Sequence, residues 1–232
     1  IFTNLGRDHL DFHITVKDYF EKKLILFKML DENAFAIVNR DDAYFKRIKA
    51  ETKANLASFG FSSKADIRVN KYNNKILEIV YPEGVIEIEN KLIGKHNIYN
   101  ILAAFSTAYL MKIDINKIKY ALENPPYIPG RLEKIKWIDK DVDVYIDYAH
   151  TPDALKHVLK CLSDMKKKKL IVVFGCGGER DIGKRSKMGF VAWKYADFSF
   201  VTSDNPRKEE PNKIIKQTVK GFLFKNKLKT II

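Results

Sequence analysis

Two cysteines in 232 residues cannot build a disulfide framework. Cys161 and Cys176 fit a reducing compartment instead, and a cytoplasmic location is expected. Glycine (11) and proline (7) are sparse, which excludes collagen-like and low-complexity chains. Long apolar runs are missing as well. The most useful one, Leu170-Ile171-Val172-Val173-Phe174, falls far short of the roughly 18 residues of a membrane span. No signal peptide is expected either, because Ile1-Phe2 gives way at once to Thr3-Asn4 and Arg7-Asp8.

What is present is a globular composition, 46% hydrophobic and 31% charged. The length suits one large domain or two modest ones, with core enough to need no disulfide or metal staple. Forty-two Lys+Arg against 29 Asp+Glu leave a net charge of +13. Such a field favours anionic partners: nucleic acid, nucleotides or other phosphorylated small molecules. Most of the surplus is scattered lysine. The one run, Lys166–Lys169, suits the negative end of a helix dipole.

Strand-like and helix-like stretches alternate, the mark of an α/β fold. Ala34–Val38 reads as a buried strand between helical stretches. From Asn55 to Leu92 short alternating strands predict a small antiparallel patch, with Pro82-Glu83-Gly84 turning Ile76–Val80 into Val85–Ile88. Helices are predicted near Asn97–Met111 and Asn116–Glu123. Three prolines and a glycine within Asn124–Gly130 then mark a domain boundary. Beyond it the strands Asp143–Ile146, Leu170–Phe174 and Phe198–Thr202 alternate with helices over Pro152–Met165, over Gly183–Tyr195 and from Pro211. Near-continuous Val, Ile and Phe predict a parallel sheet buried on both faces. Ligands bind such sheets at the strands' carboxyl ends. The polar clusters there are therefore the ones to watch: Asp147-Tyr148-Ala149-His150, Gly175–Asp181 and Ser203–Arg207.

Each cluster has a plain and a functional reading. Gly178-x-x-x-x-Gly183-Lys184-Arg185 follows a strand and opens a helix, like a phosphate-binding loop. Arg185 stands where that loop needs a hydroxyl for the metal, and Gly175-x-Gly177-x-x-Arg180 lacks the third glycine of a dinucleotide fingerprint. A loop bearing Arg180, Lys184 and Arg185 still suits a carboxylate or a phosphate. Asp204-Asn205-Pro206-Arg207 is an ordinary turn by composition. It is also a rigid turn presenting an acceptor, an amide and an arginine fork to a zwitterion. Asp8, His9 and Asp11 lie close enough in sequence for a metal site. Lys22 and Lys23 read as solvated helix residues. Asn97 and Asn100, one helical turn apart, suit either a helix cap or a base edge.

Taken together these stretches resemble the Mur ligase family, ATP-dependent amide-bond-forming enzymes of peptidoglycan synthesis. Thr3–Asp11, Leu92–Asn100 with Ala103-Ala104, Pro129–Glu133, Asp147–Leu155, Val173–Gly189 and Val201–Arg207 carry the resemblance, in family order along nearly the whole chain. It implies a fragment of a P-loop-type ATPase central domain over residues 1–128, then a Rossmann-like C-terminal domain with a parallel sheet over 129–232. It also implies ATP and Mg2+. His9 would ligate Mg2+, and Lys23 would be a carbamylated lysine whose neutral amine burial favours. Asn97 and Asn100 would lie at the adenine, Asp147 at the ribose and Arg131 at the terminal phosphate. Arg180 and Asp204-Asn205-Pro206-Arg207 would hold the incoming amino acid.

The implied reaction adds a diamino acid to UDP-N-acetylmuramoyl-L-alanyl-D-glutamate through an acyl phosphate. The Asp-Asn-Pro-Arg turn favours meso-diaminopimelate over lysine or ornithine. A cytoplasmic monomer is expected, with neither nucleic acid nor membrane as partner. The family's P-loop, its uridine-nucleotide domain and a late glycine–glutamate motif have no counterpart here. The chain is therefore expected to be an interior piece, inactive alone. A folylpolyglutamate-synthase-like ligase and a basic nucleic-acid-binding module are the rival readings.

Overall fold

A computed structural model of the chain describes residues 1–73, 75–135, 142–223 and 228–230. They form two compact units. One comprises Ile1–Leu5 with Phe20–Tyr127, the other Gly6–Tyr19 with Ile128–Ile232. The later division between the units lies in the proline-rich stretch, and Gly6–Tyr19 packs with the second unit. Charge is the reason: Arg7 of that segment forks onto Asp181, and Asp8 meets His150.

The first unit is built on a five-stranded sheet in the order β1 (Phe35–Asn39), β2 (Asn55–Gly60), β3 (Ile67–Tyr72), β4 (Ile76–Tyr81), β5 (Gly84–Glu89). The predicted antiparallel patch is smaller than expected. Only β3–β4 and β4–β5 pair antiparallel, while β2 runs parallel to both β1 and β3. The helix α2 (Phe45–Glu51) between β1 and β2 makes the crossover that a parallel pair requires. On one face Phe20, Leu24 and Phe27 of α1 (Val16–Lys28), spaced i, i+4, i+7, meet Ala36 and Val38. On the other, Ile98, Ile101, Leu102 and Phe105 of α3 (Lys95–Leu110) and Ile118 of α4 (Ile115–Glu123) cover Ile37, Phe59, Leu77, Ile79 and Ile88.

In the second unit β8 (Ile171–Phe174) and β9 (Phe198–Val201) pair in parallel, and β10 (Leu228–Thr230) extends them in the order β10-β9-β8. The helices α5 (Pro152–Met165), α6 (Gly183–Tyr195) and α7 (Pro211–Val219) share one core with Val172, Phe174 and Val201. Proline at the first turn starts α5 and α7. Thr151 caps α5, and the Glu210 carboxylate caps α7. Two expectations change. β8 is not buried on both faces, since Ile171 and Val173 are 56% and 65% exposed. And β7 (Val144–Ile146) pairs antiparallel with β6 (Glu133–Ile135) in a separate two-stranded sheet. Alternation along β8 puts every second side chain on the core, so one apolar run served only one covered face. Among the described residues no helix is long and apolar enough to cross a membrane.

Candidate functional site

β8 and β9 end at Phe174 and Val201, and the loops that follow are bonded to each other. The Gly178 amide donates to the Asn205 carbonyl at 2.9 Å, and Arg207 Nη1 donates to the Gly178 carbonyl at 2.6 Å. Only glycine fits at 178, because a Cβ there would lie 1.9 Å from the Pro206 carbonyl oxygen. Arg207 sits at φ 51°, in the left-handed region that costs a branched-out side chain of order 1–3 kcal/mol. Glycine or asparagine would relieve that strain. With Nη1 on Gly178, the Nε–Nη2 edge is the fork left for a carboxylate. Asp204 and Asn205 are exposed beside it.

Left-handed backbone recurs at Glu179 (φ 51°), Leu132 (φ 47°) and His9 (φ 54°), inside segments singled out by sequence, and at Lys112 (φ 58°) just after α3, outside them. At Leu132 the cause is visible. Asp147 Oδ2 accepts the Leu132 amide and Oδ1 the Ala149 amide, both at 2.8 Å, while the Tyr148 amide donates to Gly130. Arg131 is thereby placed with its guanidinium 5.1 Å from the centre of the Tyr148 ring. Arg131 and Asp147 are brought together.

The segment Gly6–Tyr19 supplies the rest. Arg7 Nε and Nη2 fork onto Asp181 at 2.7 and 2.9 Å, and Asp181 also accepts the Gly183 amide. That fork holds the Asp181 carboxyl below its ordinary range. Arg180 Nη1 stands 3.4 Å from Asp11. Asp8 lies between His9 and His150, at 3.5 and 3.4 Å, with Lys184 Nζ at 3.9 Å. One carboxylate with two imidazoles is a poor donor set for a hard cation. Among the described residues no group of three or more His, Cys, Asp or Glu is arranged to hold a metal.

In the first unit Asn97 and Asn100 do pair. Asn100 Nδ2 donates to Asn97 Oδ1 at 3.1 Å and Asn97 Nδ2 to the Ile93 carbonyl at 2.8 Å, while Gly94 takes the cap position of α3. Lys23 is exposed on α1, so the burial expected to favour its neutral amine is not observed.

Residues 1–108 match the Mur ligase middle domain, and residues 130–231 match the Mur ligase glutamate ligase domain. The chain belongs to the Mur ligase family. A UDP-N-acetylmuramoyl-L-alanyl-D-glutamate--2,6-diaminopimelate ligase of Syntrophomonas wolfei is 41% identical over 228 residues, which are 96% of this chain and 46% of that protein. The enzyme of the same name from Geobacter metallireducens is 39% identical, over 96% of this chain and 45% of its own length. The chain thus spans about half the length of the curated relatives it matches. A solved structure of a ligase with that name superposes with a TM-score of 0.61 at 32% identity, covering 99% of this chain and 48% of that one. MurF from Acinetobacter baumannii superposes at 0.81 with only 19% identity, over 98% of this chain and 49% of that one, a likeness of fold alone.

The Mur ligase motifs do not name the side chains that hold the loops. Arg185, read from sequence as a possible anion ligand, is fully buried. Its Nη1 and Nη2 fork onto Glu209 at 2.8 and 2.7 Å, Nη1 also reaches Gln217 at 2.5 Å, and Nη2 reaches the Gly177 carbonyl at 3.2 Å. A guanidinium so enclosed is structural, which corrects that reading. Lys184 is nearly as buried, at 5% exposed. Glu209 carried no sequence signal, because its partners lie 24 and 30 residues away.

The Arg185 fork, then the Glu179 amide, push the Glu209 carboxyl down to about 2. A folded-state value below the ordinary 4.5 means stability that is whole above about pH 4.5 and lost as pH falls through about 2. Glu209→Gln is therefore expected to flatten the fall of the urea midpoint between those limits. Parallel curves for wild type and variant would exclude the linkage.

Proposed function

We propose that the protein carrying this chain is an ATP-dependent ligase that joins meso-diaminopimelate to the D-glutamate of UDP-N-acetylmuramoyl-L-alanyl-D-glutamate. The observation that carries the reading is Arg207, strained at φ 51° and docked on Gly178 at the strand ends, with one guanidinium edge left for a distal carboxylate. The relatives named above act, by name, on the same compounds.

ATP would transfer its terminal phosphoryl group to the γ-carboxylate of D-glutamate, giving an acyl phosphate. The amine of the incoming amino acid then attacks that carbonyl carbon, and phosphate leaves from the tetrahedral intermediate. Arg131 offsets charge on the transferring phosphoryl oxygens. Asp147, each of whose oxygens already accepts one amide, keeps a second lone pair on each for ribose hydroxyls. Asn97 and Asn100 offer amides to the adenine edge. Arg180, Asp204 and Asn205 meet the amino and carboxyl groups of the amino acid, and Pro206 fixes the turn. His9 and Lys23 remain candidates for the metal side. The donors around His9 do not complete a Mg2+ site, so no step here runs through the metal.

The test is phosphate release by the full-length protein with each substrate omitted in turn. Release is expected only with ATP, the UDP-linked dipeptide and diaminopimelate together. Turnover that ignores the amino acid, or that prefers lysine, would overturn the assignment.

A further inference from the structure

The geometry points to Arg185 and Glu209 as positioning residues for the amino-acid site, an inference that rests on the diamino-acid reading above. Neither side chain offers itself to a ligand. Arg185 is completely buried, and each Glu209 oxygen accepts one arm of its fork. What the pair holds is the backbone on either side of Gly178. Arg185 Nη2 bonds the Gly177 carbonyl, and Glu209 Oε1 accepts the Glu179 amide at 2.5 Å. Gly178, pinned between them, offers its carbonyl to Arg207 Nη1 and its amide to Asn205. The Glu209 amide closes the ring by donating to the Pro206 carbonyl at 3.0 Å.

The loop after β8 and the turn after β9 therefore share one charge pair, a buried arginine on a half-buried glutamate, as their common anchor. The side chain of Gln217 ties that anchor to α7 at 2.5 Å. Two strained residues, Glu179 and Arg207, stay in the left-handed region because this ring over-determines them. A ligand fork aimed by a carbonyl is only as well placed as the carbonyl. Loosening Arg185 or Glu209 should thus blur Arg207 without touching the nucleotide side, as supporting shells do at other sites.

The experiment compares Arg185→Gln, Arg185→Lys and Glu209→Gln in the full-length protein. It reads KM for diaminopimelate, KM for ATP, kcat and residue-resolved amide exchange. Arg185→Gln is expected to raise the diaminopimelate KM about 10- to 100-fold while the ATP KM stays within about twofold. Exchange at the Gly178 and Glu179 amides should quicken about tenfold or more while the β8 amides keep their wild-type rate. Arg185→Lys, a single donor in place of a fork, should recover part of the loss, and Glu209→Gln, which keeps an acceptor for Glu179, should fall between. An unchanged diaminopimelate KM would overturn the inference. So would equal changes in both KM values with faster exchange throughout the second unit, the mark of a merely structural role. If the wild-type protein used no diamino acid, the substrate reading alone would fail. Exchange would then decide: quickening confined to Gly178 and Glu179 upholds the positioning role, and unchanged rates there reject it.

Discussion

Arg207→Ala in the full-length protein is expected to lower kcat/KM for diaminopimelate about 30- to 1000-fold, the equivalent of roughly 2–4 kcal/mol for a charge-assisted fork lost from a closed site. The guanidinium can make two parallel hydrogen bonds to the carboxylate on the distal carbon, whereas lysine carries only hydrogen there. Lysine turnover should fall far less. It should not be untouched, because Arg207 also braces the Gly178 carbonyl and the loop will relax when that bond goes. Arg207→Lys keeps the charge and loses the fork, so it should resemble alanine more than wild type. Arg207→Gly is the sharper control. It relieves the left-handed backbone while losing the same Gly178 contact as alanine, and selectivity should still collapse. Equal losses for both amino acids would mean that the residue holds the turn and does not read the ligand.

Lys23→Ala should cost about 100- to 1000-fold or more in kcat, the range for removing one preorganised electrostatic group from a reacting site. Two chemistries would each explain such a loss, and Lys23→Arg separates them. If the ammonium matters, arginine keeps the cation and most of the activity. If Lys23 is carbamylated, its ammonium has lost a proton to solvent, the neutral amine has bonded to carbon dioxide and released a second proton, and a cation has become an anionic oxygen pair. Arginine then fails as badly as alanine. Short carboxylic acids should partly restore the alanine variant, and 13C-labelled carbon dioxide should give a carbamate resonance that Lys23→Ala lacks. Near-normal turnover by Lys23→Ala would remove the residue from the chemistry.

Legibility differed from residue to residue, for reasons of range. Pro152 and Pro211 announced their helices because the start of a helix is written within four residues: Thr151 accepts the Ala154 amide, and Glu210 those of Asn212 and Lys213. The proline cluster at 124–130 is local in the same way, a run of residues that breaks helix and strand alike. Pairing direction was not local. β2 alternates like a strand of an antiparallel patch, yet it pairs in parallel with both β1 and β3. Nor did the apolar run of β8 reveal that one of its faces is exposed.

By itself the sequence determined the α/β class, the strands and helices with the clearest periodicity or caps, the motifs that carry the family resemblance, and the clusters that gather at strand ends. Those follow from periodicity, capping and short motifs, whose partners sit within a few residues. Only the tertiary structure decided that Gly6–Tyr19 joins the second unit, held by Arg7 on Asp181 across 174 residues. It alone turned Arg185 from a candidate ligand into a buried anchor, and raised Glu209 from an anonymous surface acid to its partner. A cation beside a glycine loop reads the same whether it faces a ligand or a carboxylate brought from 24 residues away. Which of the two it meets depends on how loops from separate strands pack, and that packing is fixed by the shared core beneath them.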